Sequence, residues 1–315
     1  MPKIVVAGGR GVVGRQLIEQ AGVLGWDVTL LTRTAGKPLL GASQVSVAAW
    51  RPAEASLGEA GAVSELASAL EGADVVVNLA GESLMNGRLG SSHLQRVTQS
   101  RVDSVNAVGQ ALAACDKPPP VWLQASAVGY YGDTGETSVT EKSPIGSGVL
   151  AEVCRVWEGA ANTWAAKLPH VRLCIMRIGV VFAPEAEAWK RMLLPIKLGA
   201  GGPLGSGMQW YGWVSGRDLA RAFFFVAADD SCQGVFNVTA PEAVRQKEIV
   251  QSAASKLGRP ALLPTPAFAL RAALGKHVAN EMILSSCRAD PDQLTKQGFQ
   301  FEMRSFQDAL PWLLG

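Results

Sequence analysis

The sequence predicts an α/β fold in which a doubly wound parallel sheet is followed by a smaller C-terminal substrate lobe. Two observations predict this fold. Short apolar runs rich in Val, Leu and Ile alternate with longer amphipathic stretches over the first two-thirds of the chain, and the first run leads directly into a glycine-rich turn. Continuous apolar strands that alternate with helices are typical of a parallel sheet covered on both faces.

The predicted strands are the apolar runs 3–7, 27–31, 45–50, 74–80, 120–126 and 171–179. A helix is predicted over 92–115, where Val97, Val105 and Val108 fall near one face. After a glycine-dense segment, 198–213, the pattern predicts a helix from about Arg217, a strand over 234–240 and a helix over 246–257.

The predicted organisation is a dinucleotide-binding domain over residues 1–180 and a substrate lobe over 181–315. The later strand and helix within 217–257 are expected to pack back on the first domain. From about residue 264 the chain is expected to form a small helical domain of its own.

The composition argues against several classes of function. The chain has 315 residues, of which 48% are hydrophobic and 18% charged, as in ordinary globular proteins. Its net charge of +2 gives no electrostatic reason to expect nucleic acid or a membrane surface as a partner. The five cysteines and three histidines are scattered, without the spacing of a metal site. We expect a cytoplasmic protein with no metal and a small-molecule substrate.

The glycines after the first strand have the spacing of a phosphate-binding turn. Gly8 would allow the tight turn, Gly11 would let backbone N–H groups approach a pyrophosphate, and Gly14 would let the following helix pack closely on the strand. The helix N-terminus would offer unpaired donors to the phosphates. The predicted cofactor contacts here are Gly8, Gly9, Arg10, Gly11, Val12, Val13 and Gly14.

The end of the second strand predicts which dinucleotide binds. An acidic residue there would bind the ribose 2′-hydroxyl of NAD, whereas arginine accommodates a 2′-phosphate. The chain has Thr32 and Arg33 at this place, and Arg10 lies in the glycine turn. These residues predict NADP(H), with solvated surface arginines as the alternative. The fourth predicted strand leads into Leu79, Ala80, Gly81 and Glu82. Because Ala80 and Gly81 are small, the backbone there can approach a ligand closely, and we expect these four residues to form a wall of the cofactor site.

With these motifs the chain resembles the extended short-chain dehydrogenases/reductases, and within them an atypical NAD(P)-dependent sugar-epimerase-like branch with a small C-terminal domain. The matching stretches are GGRGVVG, NLAGE, SAVGYYGD, LLPIKLGAGGPLGSGMQWYGW and GFQFEMRSFQDALPWLL. The resemblance implies a Rossmann-type N-terminal domain and NADP binding. It also implies that Arg101 reaches the cofactor and that Gly179, Val180 and Val181 lie beside the nicotinamide.

The usual acid–base pair of that superfamily, Tyr-x-x-x-Lys, is absent. Tyr130, Tyr131 and Tyr211 are followed four residues later by Thr, Gly and Ser. The positions that correspond to the pair hold Leu150 and Cys154. The candidates for catalysis are therefore Ser126, which ends the fifth strand, and the phenols of Tyr130 and Tyr131. The alternative is that the two tyrosines pack the strand exit.

Two further alternatives stay open from the sequence. The glycine-dense segment 199–207, with Trp210, Tyr211 and Trp213, would be either an aromatic-edged wall over the nicotinamide or a structural loop. The function would be that of an NADP(H)-dependent oxidoreductase or epimerase-like enzyme, or that of a non-catalytic NADP(H)-binding redox sensor or regulatory protein.

Overall fold

The computed structural model describes residues 1–33, 45–84 and 91–315. The strands of these residues, in chain order, are β1 (Lys3–Ala7), β2 (Asp27–Thr32), β3 (Val45–Ala49), β4 (Val75–Asn78), β5 (Val121–Ala127), β6 (Ser138–Val139), β7 (Arg172–Ile178), β8 (Val180–Phe182), β9 (Trp210–Tyr211), β10 (Trp213–Ser215), β11 (Gly234–Val238), β12 (Val244–Arg245) and β13 (Arg288–Ala289).

The helices are α1 (Val12–Leu24), α2 (Pro52–Ser56), α3 (Ala60–Leu70), α4 (Ser91–Ala114), α5 (Val149–Ala165), α6 (Glu187–Lys197), α7 (Gly216–Ala228), α8 (Gln246–Lys256), α9 (Ala267–Leu274), α10 (Asp292–Lys296) and α11 (Phe306–Leu314). A 3₁₀ turn covers Val128–Tyr131, and a single π-helical turn covers Val278–Ile283.

The central sheet has seven strands in the order β11-β7-β5-β4-β1-β2-β3, and every pairing in it is parallel. The prediction of an α/β, Rossmann-type parallel sheet is therefore confirmed. The strand order reverses direction at β1, between β4 and β2. Ligands of such sheets bind at the carboxyl ends of the strands beside this reversal.

Both faces of the sheet are buried, as the continuous apolar strands predict. Side chains alternate along β1, so that Ile4 and Val6 face one core with α1 and α7, and Val5 and Ala7 face the other with α3, α4 and α5. Helices on both faces leave the carboxyl edge of the sheet as the place where loops can bind a ligand.

A third core lies outside the central sheet. Phe182, Trp189, Trp213 and Phe306 pack there with ring centroids 5.6–6.1 Å apart, and α6, α8 and α11 surround them. Of the elements within 217–257, β11 and α7 pack on the central sheet, whereas α8 packs in this third core. The division of the chain at residue 180 stays a prediction.

Short strand pairs tie the later part of the chain to the loops at the carboxyl edge. β13 pairs with β6, β10 with β8, and β12 with β9. The sequence analysis predicted none of these two- and three-residue strands. Across the described part of the chain, each helix is too short or too polar to span a bilayer.

Candidate functional site

The glycine turn between β1 and α1 is held by close backbone contacts. Gly8 has φ +79°, and a Cβ there would lie 2.9 Å from the Ala80 backbone. A Cβ on Gly14 would lie 2.2 Å from the Gly9 Cα, and one on Gly9 would lie 2.3 Å from the Leu30 side chain. At Gly11, by contrast, the nearest atom would be 3.9 Å away. The turn is therefore packed on its protein side and open at Gly11.

The N-terminus of α1 faces this opening with its backbone donors. Gly11 is the N-cap, no side chain of the described residues caps it, and the first turn carries no acidic residue. The first N–H groups of a helix have no intrahelical partner, and the helix dipole favours an anion beside them. Val12, Val13 and Gly14 supply these groups. The arrangement fits a phosphate group.

Arg10 lies in the glycine turn, and Arg33 directly follows β2. Thr32 is buried at the end of β2, and both Arg33, which follows it, and Arg10 are exposed. The β1–β2 pairing aligns Ala7 with Leu31, so both arginines come shortly after adjacent strand ends. That the two arginines together bind a 2′-phosphate stays a prediction.

The wall formed by Leu79, Ala80, Gly81 and Glu82 is fixed by a buried amide. The Asn78 Oδ1 accepts a hydrogen bond of 3.1 Å from the Ala80 N–H, and its Nδ2 donates to Gln124 at 3.0 Å and to Ser104 at 3.2 Å. Asn78, Gln124 and Ser104 are all buried. This network holds the small-residue exit of β4 against Gly8.

Arg101 extends from α4 to this wall. Its Nη1 donates to the backbone oxygens of Glu82 at 2.9 Å and Val97 at 3.0 Å, and its guanidinium lies 4.9 Å from the ring centroid of Trp157. Burial lowers the pKa of Arg101. Within the described ranges no carboxylate lies within ion-pair distance of its guanidinium. A partly buried cation with donors to spare suits an anionic or oxygen-rich ligand.

A cavity of about 380 Å³ begins at Arg101 and extends to the C-terminal part of the chain. Residues from the β5 exit, α5, the β7–β8 junction, β9 and the π-helical region line it. Leu150 and Cys154, the residues that the sequence analysis assigns to the Tyr and Lys positions, are both in the lining. Burial raises the pKa of the Cys154 thiol to about 11. The cavity wall formed by Leu150 and Cys154 is therefore apolar.

The three predicted catalytic residues contact protein groups rather than the cavity. The Ser126 hydroxyl donates to Glu158 at 2.6 Å, the Tyr131 hydroxyl donates to Asn237 at 2.7 Å, and the Tyr130 ring stacks 3.3 Å from the Arg177 guanidinium. None of the three is among the described lining residues. Their catalytic role stays a prediction, and the observed contacts favour the alternative that they pack the strand exit.

Of the predicted nicotinamide-side residues, Gly179 and Val180 line the cavity, at the β7–β8 junction. Val181 lies next in β8, where it pairs with Val214 of β10, and is not among the described lining residues. A Cβ on Gly179 would lie 2.4 Å from the Gly212 carbonyl oxygen, so this junction needs glycine for close backbone packing.

The glycine-dense segment 198–213 divides into two parts. Trp210 and Tyr211 line the cavity, as the wall hypothesis predicts, but Trp213 is buried in the third core. Gly201 and Gly202 pack tightly against Ile196 and the Leu263 backbone. Residues 199–207 thus have the close contacts of a structural loop, and the aromatic residues after them border the cavity.

Two carboxylates of the cavity were missed by the sequence analysis. Asp133 follows the β5 exit, and its Oδ1 accepts 3.1 Å hydrogen bonds from the N–H groups of Gly135 and Ser286. Glu281 belongs to the π-helical turn, and its Oε2 accepts a 2.9 Å hydrogen bond from the Leu150 N–H. Asp133 stands in the quoted stretch SAVGYYGD and could have been noticed there. Glu281 lies in no motif.

Two family models match the chain. The NAD dependent epimerase/dehydratase family matches residues 4–239, and a domain of unknown function (DUF1731) matches residues 265–313. An Arabidopsis thaliana protein, the chloroplastic epimerase family protein SDR39U1 homolog, is 36% identical over 98% of this chain and 85% of its own length. The human epimerase family protein SDR39U1 is 29% identical over 98% of both chains.

Solved structures agree with this similarity. The crystal structure of human SDR39U1 (isoform 2) with NADPH has a TM-score of 0.85 and 28% identity, and the match covers 99% of each chain. A nucleoside-diphosphate sugar epimerase from Corynebacterium glutamicum has a TM-score of 0.76 and 29% identity, covering 100% of this chain and 59% of that one.

Proposed function

Because the chain belongs to the NAD dependent epimerase/dehydratase family, we propose that it is an NADP(H)-dependent oxidoreductase of the atypical short-chain dehydrogenase type. The observation that carries the proposal is the glycine turn, which is packed on its protein side, open at Gly11 and followed by the uncapped N-terminus of α1. The human relative crystallised with NADPH supports the choice of cofactor. A cytoplasmic location stays a prediction.

The proposal assigns a part of the cofactor to each element. The turn Gly8–Gly14 would hold the pyrophosphate, and Arg10 and Arg33 would bind the 2′-phosphate. The Leu79–Glu82 wall and Arg101 would border the dinucleotide towards the cavity. Gly179 and Val180 would adjoin the nicotinamide, which supplies hydride exchange when bound. The cavity beyond them would position the substrate and exclude water.

A second function is favoured by one observation, the apolar wall at Leu150 and Cys154. Without the usual tyrosine and lysine, the chain could bind NADP(H) as a redox-sensing or regulatory protein without turnover. The two functions differ in one measurable result. An oxidoreductase changes nicotinamide absorbance when a carbonyl or alcohol substrate is added, whereas a sensor binds the dinucleotide and leaves its absorbance unchanged.

The cofactor assignment is tested by fluorescence titration with NADPH and with NADH. We expect the wild-type protein to prefer NADPH, and Arg33→Ala to weaken NADPH binding by about tenfold or more, since it removes one charge-assisted contact to phosphate. NADH binding should be unaffected. Arg155→Ala is the matched control, because it removes an exposed arginine of α5 that pairs with Glu152 on the same helix. Equal affinity for the two dinucleotides in the wild-type protein would contradict the NADP(H) assignment.

A further inference from the structure

Glu281 brings a carboxylate into the cavity from the C-terminal segment 265–313, whose family model describes a domain of unknown function. It lies in the π-helical turn Val278–Ile283, and 24% of its side chain is exposed. Such turns are frequent at functional sites because the extra residue redirects side chains. The C-terminal segment therefore contributes an ionisable carboxylate to the cavity as well as part of its wall.

The Glu281 carboxylate is held in place by the backbone of α5. Its Oε2 accepts the Leu150 N–H at 2.9 Å, in the first turn of a helix whose N-cap, Gly148, has no side chain to do this. Gly148 has φ +110°, and a Cβ there would approach the same oxygen to 3.0 Å. The other oxygen, Oε1, lies 3.7 Å from the His277 Nδ1. A carboxylate has about four acceptor positions, so these contacts leave Glu281 able to accept from a ligand.

A second carboxylate makes the described lining of the cavity mainly acidic: of its three charged residues, Asp133 and Glu281 are carboxylates and Arg101 is a cation. Asp133 also lines it, held through Oδ1 by the Gly135 and Ser286 N–H groups. Ser286 follows Glu281 in the same C-terminal segment. Asp133 is solvent-exposed and Glu281 is partly buried, so the repulsion that disfavours an anionic group comes mainly from Glu281.

The size of the cavity adds a second restriction. A volume of about 380 Å³ is near the lower end of the range for small-molecule sites. Gly179 and Val180 form part of its lining, so under the proposed function the nicotinamide shares this space. The remaining volume suits a compact ligand.

We propose that Glu281 is a specificity-determining residue, which accepts a hydrogen bond from a hydroxyl or amine of a compact, neutral or cationic substrate and disfavours anionic ones such as nucleoside diphosphate sugars. This inference rests on the proposed function for the identity of the reaction. It assigns the C-terminal segment a direct part in choosing the substrate.

The test compares three six-membered rings of similar size: cyclohexanol, cyclohexylamine and cyclohexanecarboxylate, with UDP-glucose as a fourth probe. Dissociation constants are measured by ligand-observed NMR on the full chain, with and without NADP⁺. For the wild-type protein we expect the alcohol and the amine to bind at least about tenfold more tightly than the carboxylate and UDP-glucose.

Glu281→Gln is the informative variant, because its amide oxygen can still accept the Leu150 N–H while the charge is lost. It should reduce the preference for amine over carboxylate by about tenfold, with an unchanged thermal unfolding midpoint. Glu302→Gln, which removes an exposed carboxylate of the same segment outside the described cavity lining, is the matched control and should keep the wild-type preference.

The inference is overturned if the wild-type protein binds the carboxylate or UDP-glucose as tightly as the amine, if it binds none of the rings, or if Glu281→Gln keeps the wild-type preference. A different result would separate the two proposals. If the wild-type protein fails to bind NADP(H) but still prefers the alcohol and the amine, and Glu281→Gln loses this preference, the proposed function is contradicted and the role of Glu281 is supported.

Discussion

Glu158 and Arg177 form a buried ion pair below the strand exit that borders the cavity. The Arg177 Nε and Nη2 donate to the two carboxylate oxygens of Glu158 at 2.9 and 2.8 Å, and the pair is joined to Ser126 on one side and Tyr131 on the other. Arg177 is 4% and Glu158 6% exposed. At this depth each charge depends on the other, because water does not compensate for a missing partner.

The first prediction concerns this pair. Arg177→Met should destabilise the protein by about 3–5 kcal/mol, because it leaves the Glu158 carboxylate buried without its cation. The free energy of unfolding in urea measures the effect. Arg155→Ala breaks an exposed arginine–glutamate pair on α5 and serves as the control, with no change of midpoint expected. A small effect of Arg177→Met, like that of the control, would show that the buried pair is dispensable.

The second prediction concerns Tyr131, whose pKa burial raises to about 12. An unfolded tyrosine ionises near pH 10. Between about pH 10 and 12 the unfolded chain therefore holds fewer protons at this residue than the folded one, and stability falls as pH rises. The contribution is fully present below about pH 10.

Unfolding free energies measured at several pH values between 9 and 11.5, for the wild type and Tyr131→Phe, test this. The variant should lose stability less steeply with rising pH, by up to about 1.4 kcal/mol per unit. Equal slopes of stability against pH in the two proteins would mean that burial does not raise the pKa of Tyr131. A folded Tyr131→Phe without turnover, on a substrate that the wild type converts, would instead support the catalytic role that the sequence analysis predicted.

At the scale of elements, the β1–turn–α1 unit links packing directly to the proposed phosphate site. Gly14 lies in the first turn of α1, and a Cβ there would lie 2.2 Å from the Gly9 Cα, an approach that only backbone movement could relieve. The position of the helix N-terminus therefore depends on the size of this residue.

The third prediction follows from this contact. Gly14→Ala should cost about 1–3 kcal/mol through overpacking, and should weaken NADPH binding because the N-terminus of α1 moves. Thermal unfolding and the NADPH titration measure the two effects. Gly22→Ala, in the same helix with open space around it, is the control and should leave stability unchanged or raise it by up to about 1 kcal/mol. Unaltered NADPH binding by Gly14→Ala would contradict the proposed phosphate site.

At the scale of the whole molecule, Asp218 joins α7 on the central sheet to the C-terminal segment. Its carboxylate is buried and accepts hydrogen bonds from the N–H groups of Glu302 at 2.9 Å and Met303 at 2.8 Å. Ser215 caps the helix that carries it, and Arg221 donates to it at 2.7 Å. One side chain thus connects two of the cores.

The fourth prediction is that Asp218→Asn loosens this connection. The amide removes the charge and turns an N–H group towards backbone donors, so we expect a loss of about 3 kcal/mol. Hydrogen exchange should become faster in residues 299–314 than elsewhere. Asp292→Asn, which removes a surface pair with Lys296, is the control and should change neither stability nor exchange. Uniformly faster exchange across the sheet would contradict a local anchor.

The central sheet could be predicted because each of its strands is indicated by a run of neighbouring apolar residues. The seven predicted strands correspond to β1–β5, β7 and β11, and the predicted helix over 92–115 to α4 (Ser91–Ala114). The short strands β6, β8–β10, β12 and β13 could not be predicted. Two or three residues are too few to show the alternation of a strand, and the strands with which they pair are distant in sequence. The same distance hid Glu281, whose hydrogen bond to Leu150 spans 131 residues.

The sequence by itself determined the parallel sheet, the glycine turn and the absence of the Tyr-x-x-x-Lys pair, since these depend on residue types at short, fixed spacing. Only the tertiary structure decided what surrounds the cavity. It directed the Ser126 and Tyr131 hydroxyls into a buried network and brought Glu281 beside Leu150. Side-chain partners at such separations are set by how the three cores pack together, which no local pattern encodes.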